Sequence, residues 1–222
     1  MSMTARRAAA RQTVAERLRD DIVKGIFPPG ERLIEVELSK RYEVGRAAIR
    51  YALVELDTQG LVLRETNRGA TVRRISVAEA VEITEARMAL ECLVARRAAE
   101  RATSADRGEL RDLVKEMRAA LKADDKAAYS RLNRQLHATL PRIARHTVAD
   151  ELIANLRARA VHQQYQLSGL PGRAEESLNQ HVAIVAAVSE GEADLAELSM
   201  RQHLESVIEA LRGWEHLDQP GG

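Results

Sequence analysis

RAAIRYALVELDTQ, residues 46–59, is the stretch around which the front of this chain is organised. Its apolar side chains recur at i, i+3, i+4 and i+7, the spacing of one buried face of an α-helix: Ile49, Ala52, Leu53 and Leu56. Arg46 and Arg50 lie one turn apart on a different face. The spacing therefore predicts a helix that packs on one side and presents two guanidinium groups on another.

The flanking segments predict the rest of this unit. Upstream, Val14, Leu18 and Ile22 recur every four residues in a helix that ends near Gly25. The rigid turn FPPGERL follows, then a short helix over about residues 35–42 and the turn EVG. Downstream, LVLRE and ATVRRI are β-like runs on either side of the turn TNRG. This order predicts a winged helix-turn-helix with a small β-hairpin wing.

The pattern changes near residue 75. Ser76 and Glu79 have the Ser-x-x-Glu spacing of a capping box, and from there the chain is patterned almost entirely as helix. We therefore predict a mainly α protein with a winged helix-turn-helix over residues 11–75 and an all-α helical bundle over 76–215. Residues 1–10 and the tail 216–222 are expected to be disordered.

Charge divides along the same line. The net charge is +1, but residues 1–75 hold 15 Lys and Arg against 10 Asp and Glu, whereas residues 76–222 hold 19 against 23. A basic front half favours contact with a polyanion such as DNA.

The single cysteine, Cys92, excludes an intrachain disulfide. No apolar run approaches the ~18 residues of a membrane span, and the first residues lack the apolar region of a secretory signal. We therefore expect a cytoplasmic protein without a membrane partner.

Five positions are predicted to contact double-stranded DNA. A helix that enters the major groove presents residues near its N-terminal end, and guanidinium can grip guanine or a phosphate with two hydrogen bonds. Arg46, Ala47 and Arg50 lie at that end of the helix, while Arg68 and Gly69 lie at the tip of the wing. The alternative is that the two helical arginines form a solvated surface, as most arginines do.

Polar residues also occur on apolar helix faces in the back half. In LNRQLHATL, residues 132–140, Asn133 and His137 are one turn apart and lie close to the Leu136–Leu140 stripe. His181 and His203 lie on the apolar faces of two later helices. Three imidazoles and one amide oxygen make a plausible site for a divalent transition metal, with Zn²⁺ the first candidate and Ni²⁺ or Mn²⁺ the alternatives. The other interpretation is an apolar, histidine-lined pocket without metal.

Arg87 shares the inward stripe of the helix predicted over residues 77–101. A buried guanidinium needs an anionic partner. That partner is either an internal Asp or Glu or the carboxylate of a small effector. Further candidates to line such a cavity are Arg157, Arg159, His162 and Gln163.

The front half resembles the N-terminal domain of GntR-family bacterial transcription regulators. Residues 14–76 carry I-x-x-G-x-x-x-P-G-x-x-L, then the helix R-x-x-x-R, then G-L-V…R-G…V in the wing. Where the family has Ser-Arg-Thr-Pro-Val-Arg-Glu-Ala-Leu, this chain has GRAAIRYAL, residues 45–53. Both arginines match, but Gly45 and Ala47 replace the usual hydroxyl residues, so hydrogen bonds to phosphates are lost.

The back half resembles the FCD ligand-binding domain of the FadR-like subfamily. Its metal-binding members have Asp-x-x-x-His, a second His before an apolar run and a third in the final helix. These positions correspond to Asn133, His137, His181 and His203. Asn133 replaces an aspartate, so metal affinity should fall and an anionic effector would supply the missing charge. Because FCD regulators sense small organic acids, the resemblance favours an effector carboxylate as the partner of Arg87.

The sequence thus predicts a transcription regulator and not an enzyme. It is expected to bind a palindromic operator as a homodimer and to act as a repressor that a small carboxylate effector releases. A helical metal-dependent hydrolase is one rival, although no nearby Glu is evident as a general base and no His-Glu-x-x-His motif is present. A DNA-binding dimer that responds to no ligand is the other.

Overall fold

The computed structural model describes residues 13–65, 69–160, 167 and 170–215. The chain divides into two compact units, residues 1–75 and 76–222. In the described residues the first unit combines three helices with a small sheet, and the second is helical. The predicted fold class, a winged helix-turn-helix followed by an all-α bundle, is confirmed.

The N-terminal unit follows the predicted order with one addition. Its elements are α1 (Val14–Val23), β1 (Arg32–Leu33), α2 (Glu35–Tyr42), α3 (Arg46–Thr58), β2 (Val62–Glu65) and β3 (Gly69–Val72). The apolar stripes of α1 and α3 meet in its core, where Leu18, Ile49 and Leu56 are fully buried. Burial of these stripes holds the three helices together and leaves the opposite face of α3 exposed.

The sheet has three strands rather than the predicted two. β3 lies in the centre and pairs antiparallel with both β1 and β2. The segment FPPGERL was predicted only as a turn, and its last residues form β1, with Arg32 opposite Thr71 and Leu33 opposite Ala70. Two residues carry no periodicity, and β1 exists only because β3 supplies its hydrogen-bonding partner.

The C-terminal unit is a bundle built around one long helix. Its described helices are α4 (Val77–Arg101), α5 (Ser104–Lys122), α6 (Lys126–Ala144), α7 (Thr147–Arg159), α8 (Arg173–Glu190) and α9 (Ala193–Glu215). Helix α4 packs against α6, α7, α8 and α9, so its inward stripe faces the centre of the unit. The surrounding core is aliphatic and includes Leu136, Leu140, Ile184 and Met200. A polar side chain on that stripe is therefore cut off from water.

Side-chain caps fix where these helices begin. The Ser76 hydroxyl accepts a hydrogen bond from the Glu79 backbone N–H (3.1 Å), as the sequence pattern predicts. The Glu79 carboxylate forms an ion pair with Arg159 of α7 (3.0 Å). His146 caps α7, because its Nδ1 accepts from the Ala149 backbone N–H (3.2 Å). His146 is therefore a helix cap and not a member of the cluster formed by His137, His181 and His203.

A search of the described helices for a segment with the length and low polarity needed to cross a lipid bilayer found none.

Candidate functional site

The structure places the predicted DNA-contacting residues of α3 on an exposed face. Gly45 caps the helix in extended backbone (φ −66°, ψ 152°), so the missing hydroxyl does not prevent helix initiation. Arg46, Ala47 and Arg50 follow at the N-terminal end, and all three are exposed. Arg50 lies near α2, with its Nε 3.6 Å from a Glu35 carboxylate oxygen. This contact orients the guanidinium without burying it, which leaves it available to DNA.

Of the two predicted wing residues, only Gly69 lies among the described residues. Arg68 lies outside the described residues. Gly69 begins β3 with φ +89°, a conformation that L side chains rarely adopt. A Cβ at this position would lie 2.3 Å from the Leu33 carbonyl oxygen. The structure thus requires glycine for the close approach of β1, a reason separate from the predicted approach to DNA.

The three predicted histidines converge in the interior of the bundle. His137 on α6, His181 on α8 and His203 on α9 are all buried, and one ring nitrogen of each lies within 4.8 Å of the others. Their ring centroids are 4.5–5.4 Å apart. Tetrahedral Zn²⁺ with bonds of about 2.0–2.1 Å holds its nitrogens roughly 3.4 Å apart. Small side-chain adjustments would therefore bring all three rings onto one ion.

Hydrogen bonds behind two of the rings fix which nitrogen faces the cluster. His137 Nδ1 lies 3.0 Å from the Glu91 carboxylate, and His203 Nδ1 lies 2.8 Å from the Gln180 side-chain oxygen. Both partners accept, so both Nδ1 atoms carry the proton and both Nε2 atoms keep a lone pair. This arrangement of an outer acceptor behind a ring is the one that orients histidine ligands of metals.

His181 is the exception among the three. Its Nε2 lies 3.1 Å from His137 Nε2, while its Nδ1 is buried without a hydrogen-bond partner in the described structure. Since His137 Nε2 has the lone pair, His181 Nε2 must carry the proton that joins them. A metal would replace this bond, and the proton would move to Nδ1. The rings of His137 and His181 are therefore joined by a single hydrogen bond, and a metal ion can replace it.

All three imidazoles are neutral near pH 7. Burial and the positive charge of Arg157 together lower the pKa of His137 to about 4, against the opposing effect of Glu91. Burial also holds the pKa of His181 and of His203 well below the ordinary value, with further lowering of His181 by the other two rings and of His203 by His137. Neutral imidazole is the form that binds metals, so protons do not compete for the site at physiological pH.

Asn133 lies one turn before His137 and faces the same pocket. Its amide oxygen is buried and has no hydrogen-bond partner in the described structure. A buried acceptor without a partner costs roughly 1–3 kcal/mol, so this position calls for a bound cation or donor. The available donor set is therefore three neutral nitrogens and one neutral oxygen, which fits a divalent transition metal but contributes no negative charge.

Of the two partners considered for Arg87, an internal acid and an effector carboxylate, the structure contains the internal acid. Its Nε and Nη2 donate to the Glu91 carboxylate (2.9 and 2.8 Å), so an internal acid is present. Its Nη1 is buried and has no partner in the described structure. One donor of the guanidinium therefore remains available to an anion, and effector binding by Arg87 stays a prediction.

From sequence no nearby Glu was evident as a general base, but the structure places Glu91 beside His137. Besides His137, its carboxylate accepts from Arg87 and from Arg157 (3.0 Å to Nη2). Burial would raise the pKa of Glu91, but Arg157, Arg87 and the hydrogen bond from His137 together hold it well below its ordinary value. A carboxylate with so low a pKa and three partners is a poor general base, so its presence does not revive the hydrolase interpretation.

A pocket opens beside this cluster, with a volume of about 80 Å³. Its wall includes Asn133, His137 and His203, and no carboxylate belongs to the described part of it. It also includes four guanidinium side chains: Arg87, Arg134, Arg157 and Arg173. The volume is far below the roughly 300–1,000 Å³ typical of drug-sized ligands. Size and charge together favour a small anion.

Some residues around the histidine cluster can be found from sequence and others cannot. Glu91 follows Arg87 at i+4 on an inward stripe, and this spacing is a signal for an intrahelical ion pair. Gln180 precedes His181 by one residue, yet its partner is His203 of another helix, so no local pattern reveals it. Arg173, which contacts Ser206 and Glu176, likewise depends on the packing of α8 against α9.

The other residues considered from sequence as lining the cavity do not all belong to it. Arg157 lines the pocket, whereas Arg159 pairs with Glu79 and belongs to a separate surface groove beside Ser76 and Glu82. His162 and Gln163 lie outside the described residues.

Comparison with known proteins assigns both halves of the chain. Residues 10–72 match the bacterial regulatory proteins of the gntR family, and residues 82–206 match the FCD domain. The transcriptional repressor RspR of Escherichia coli strain K12 is 32% identical over 201 residues, which cover 90% of this chain and 88% of RspR. The Uxu operon transcriptional regulator of the same organism is 27% identical, covering 93% of this chain and 88% of its own length.

Solved structures give the same fold. McbR/YncC of E. coli superimposes with a TM-score of 0.79 at 21% identity, covering 91% of this chain and 96% of its own. A GntR regulator from Rhodococcus sp. RHA1 gives a TM-score of 0.75 at 24% identity, covering 90% and 96%. The family relatives are transcription regulators, which confirms the expectation that this chain is not an enzyme. The chain belongs to the GntR family of bacterial regulatory proteins, with an FCD domain after its winged helix-turn-helix, and is a DNA-binding transcription regulator.

Proposed function

We propose that this regulator is a repressor whose operator affinity is controlled by a divalent transition metal and a small carboxylate bound together in the FCD domain. Zn²⁺ is the first candidate, with Ni²⁺ and Mn²⁺ as alternatives. One observation carries the proposal: the acceptor of Asn133 and the donor Nη1 of Arg87 are both buried, both lack partners in the described structure and both belong to one arginine-lined pocket. A cation satisfies the first and an anion the second.

The ligands have distinct residues to hold them. His137, His181, His203 and Asn133 would hold the metal, which would act there as a Lewis acid toward an anion. Arg87 Nη1 would donate to a carboxylate oxygen, and Arg157 lies in the same wall. Glu91 and Gln180 would keep the rings of His137 and His203 in the binding tautomer.

Metal and carboxylate should bind with positive coupling. The protein ligands carry no formal negative charge, and the only carboxylate that touches a described ring, Glu91, is already balanced by Arg87 and Arg157. A lone divalent ion would therefore enter a pocket of net positive charge, which is unfavourable at low dielectric. A carboxylate that contacts both the metal and a guanidinium removes this cost. By linkage, each ligand raises the affinity of the other by the same factor.

Control of DNA binding follows from differential affinity. If the ligands favour one arrangement of a homodimer over another, they shift the population between operator-competent and incompetent states. A two-fold dimer matches a palindromic operator, because each winged helix reads one half-site. The similarity to RspR, which is named a repressor, supports repression as the sign. A regulator of this kind would act in the cytoplasm, where its operator DNA lies.

The test is a thermal-shift screen of chelator-treated protein with Zn²⁺ alone, with small carboxylates alone and with both. Binding to the folded state alone raises the melting temperature, and we expect the combination to exceed the sum of the separate shifts. His203→Gln serves as the variant that cannot complete the site. A protein that holds no metal after expression in metal-supplemented medium, and that no combination stabilises, would favour the rival interpretation of a ligand-independent DNA-binding dimer.

A further inference from the structure

The exposed face of α3 contains an aromatic side chain that neither domain explains. The exposed residues of this face include Arg46, Ala47, Arg50, Tyr51 and Val54, at positions 0, 1, 4, 5 and 8 from the start of the helix. Tyr51 is 78% exposed, more than any other exposed large hydrophobic side chain of the described residues. Tyr51 lies in the first half of α3, the helix whose N-terminal end is predicted to meet DNA, so its ring is available to that partner.

The other described tyrosines are used differently. Tyr42 and Tyr129 are each 5% exposed. The Tyr42 hydroxyl donates to an Asp21 carboxylate oxygen (2.7 Å), and the Tyr129 hydroxyl donates to the Ala174 carbonyl (2.9 Å). The Tyr51 hydroxyl contacts no polar group among the described residues. It is therefore the tyrosine hydroxyl of this part of the chain that is free to donate to a ligand.

Helix geometry brings this hydroxyl to the DNA-facing end of α3. Side chains on an α-helix lean toward its N-terminus, so the ring at position 51 extends over the turn that contains Ala47. Ala47 is exposed and small, which leaves room for the ring. The phenol thus extends toward the N-terminal end of the helix, the end predicted to meet the phosphate backbone.

The departures of this chain from the quoted family motif fall on the same surface. Gly45 and Ala47 stand where the motif has hydroxyl residues, and Tyr51 stands where it has glutamate. The three changes together remove two short hydroxyl side chains and one negative charge, and they add one long hydroxyl side chain on the same face.

We propose that the Tyr51 hydroxyl donates a hydrogen bond to a phosphate of the operator backbone and replaces, from one turn further along the helix, the contact that Ala47 cannot make. A backbone contact of this kind fixes the position of the helix on the duplex without reading sequence itself. The absence of glutamate at position 51 also removes a charge that would repel the same phosphate.

The central experiment compares wild type with Tyr51→Phe by fluorescence anisotropy. Two duplexes of 30 base pairs serve as probes, one enriched from a random pool by the wild-type protein and one with its sequence scrambled. We expect Tyr51→Phe to bind both about tenfold more weakly, because a hydrogen bond to a charged acceptor is lost. The slope of log affinity against log salt should not change, since no charge is removed. The melting temperature should be unchanged because the side chain is exposed.

Three further variants make the result specific. Ile26→Ala removes another exposed large side chain, 45% exposed and away from α3, and should bind as wild type does. Tyr51→Glu restores the residue of the family motif and should weaken binding more than Tyr51→Phe. Ala47→Thr in the Tyr51→Phe background returns a hydroxyl to the family position and should recover most of the lost affinity.

Three outcomes would overturn the proposal. Equal affinities of Tyr51→Phe and wild type for both duplexes would mean that the Tyr51 hydroxyl makes no such hydrogen bond. A loss confined to the enriched duplex, with a different sequence enriched by the variant, would assign Tyr51 to base reading instead of the backbone. A failure of Ala47→Thr to recover affinity would refute the claim that the two hydroxyls serve the same contact. Because each outcome compares variants at equal metal and effector content, none of them requires the proposed function to hold.

Discussion

The exposed face of α3 and the histidine pocket are both built from arginines and a few polar side chains, but water reaches only the first. On α3, Arg46, Arg50 and Tyr51 are solvated, and the ion pair of Arg50 with Glu35 leaves the Arg50 side chain 60% exposed. Beside the pocket, Arg87 and Glu91 are removed from water and need each other. A substitution on the face should therefore change DNA affinity alone, whereas one in the pocket should change folding as well.

The two regions also differ in how a single residue contributes. On the face the side chains share no buried network, so the effects of substituting Arg46 and Arg50 on DNA affinity should be nearly additive. Glu91 by contrast joins Arg87, Arg157 and His137 in one network. Removal of one member leaves the others with buried and uncompensated charge, which is a larger effect than the loss of any one contact.

The largest effect is expected from Glu91→Ala. Two guanidinium groups would lose a buried counter-charge, which costs about 3–5 kcal/mol of unfolding free energy. Chemical denaturation of the purified variant measures it. The matched control on the same helix is Glu100→Ala, whose carboxylate is 33% exposed and pairs with Arg97 (2.8 Å). A surface pair of this kind contributes about 0–1 kcal/mol. Equal losses for the two variants would contradict the contrast between buried and exposed sites.

Arg50→Ala should leave folding intact and abolish specific operator binding. A guanidinium with two hydrogen bonds to a base contributes about 1–3 kcal/mol of discrimination, up to roughly a hundredfold in affinity. Gel-shift titration against an enriched duplex and a scrambled one measures the loss of preference. The unfolding free energy should change by less than about 0.5 kcal/mol, as expected for an exposed side chain. Unchanged affinity would mean that Arg50 only forms its contact with Glu35.

The stability of chelator-treated protein should fall as the pH falls from 7 to 5. The pKa of His137 is about 4 in the folded state, below the ~6.5 of an unfolded histidine, so the unfolded chain binds more protons in this window. The contribution is complete above the unfolded pKa and is lost as the pH drops toward 4. For His137 alone the unfolding free energy lost between pH 7 and pH 5 is on the order of 2 kcal/mol. The low pKa of Glu91 places its own loss below this window.

Denaturation curves at several pH values measure this dependence, and two variants locate its source. His137→Gln should make the curve shallower without flattening it, because His181 and His203, whose pKa values are also lowered, still titrate. His146→Asn removes a histidine outside the cluster and keeps an N-cap side chain, and it serves as the control. A slope that His137→Gln does not reduce would mean that His137 does not contribute to the pH dependence.

The smallest of the four effects is expected from Asn133→Asp. It restores the carboxylate of the family motif beside His137, so the affinity for Zn²⁺ without carboxylate should rise about tenfold, an equivalent of roughly 1.4 kcal/mol. Competition against a zinc-binding dye measures the affinity. Gln135→Glu adds the same charge to an exposed position of α6 and should have little effect. Equal behaviour of both variants would mean that Asn133 does not face the metal.

Particular elements show how far sequence reasoning extends. The bounds predicted for α2 and α4 agree with the structure, because a helix carries its own period and its own caps. Three histidines on inward stripes were identified by the same period. Strand β1 was missed because two residues have no period, and Gln180 was missed because its partner His203 lies on another helix.

The sequence by itself determined which residues form helices, where the two units divide and which side of each helix faces inward, since these depend on neighbours within a few residues. Only the tertiary structure decided which inward side chains meet. Glu91 and Arg157 are 66 positions apart, and their contact depends on how α4 packs against α7. Periodicity gives the direction of a side chain but not the helix it faces, so the partners that tune the histidines follow from packing alone.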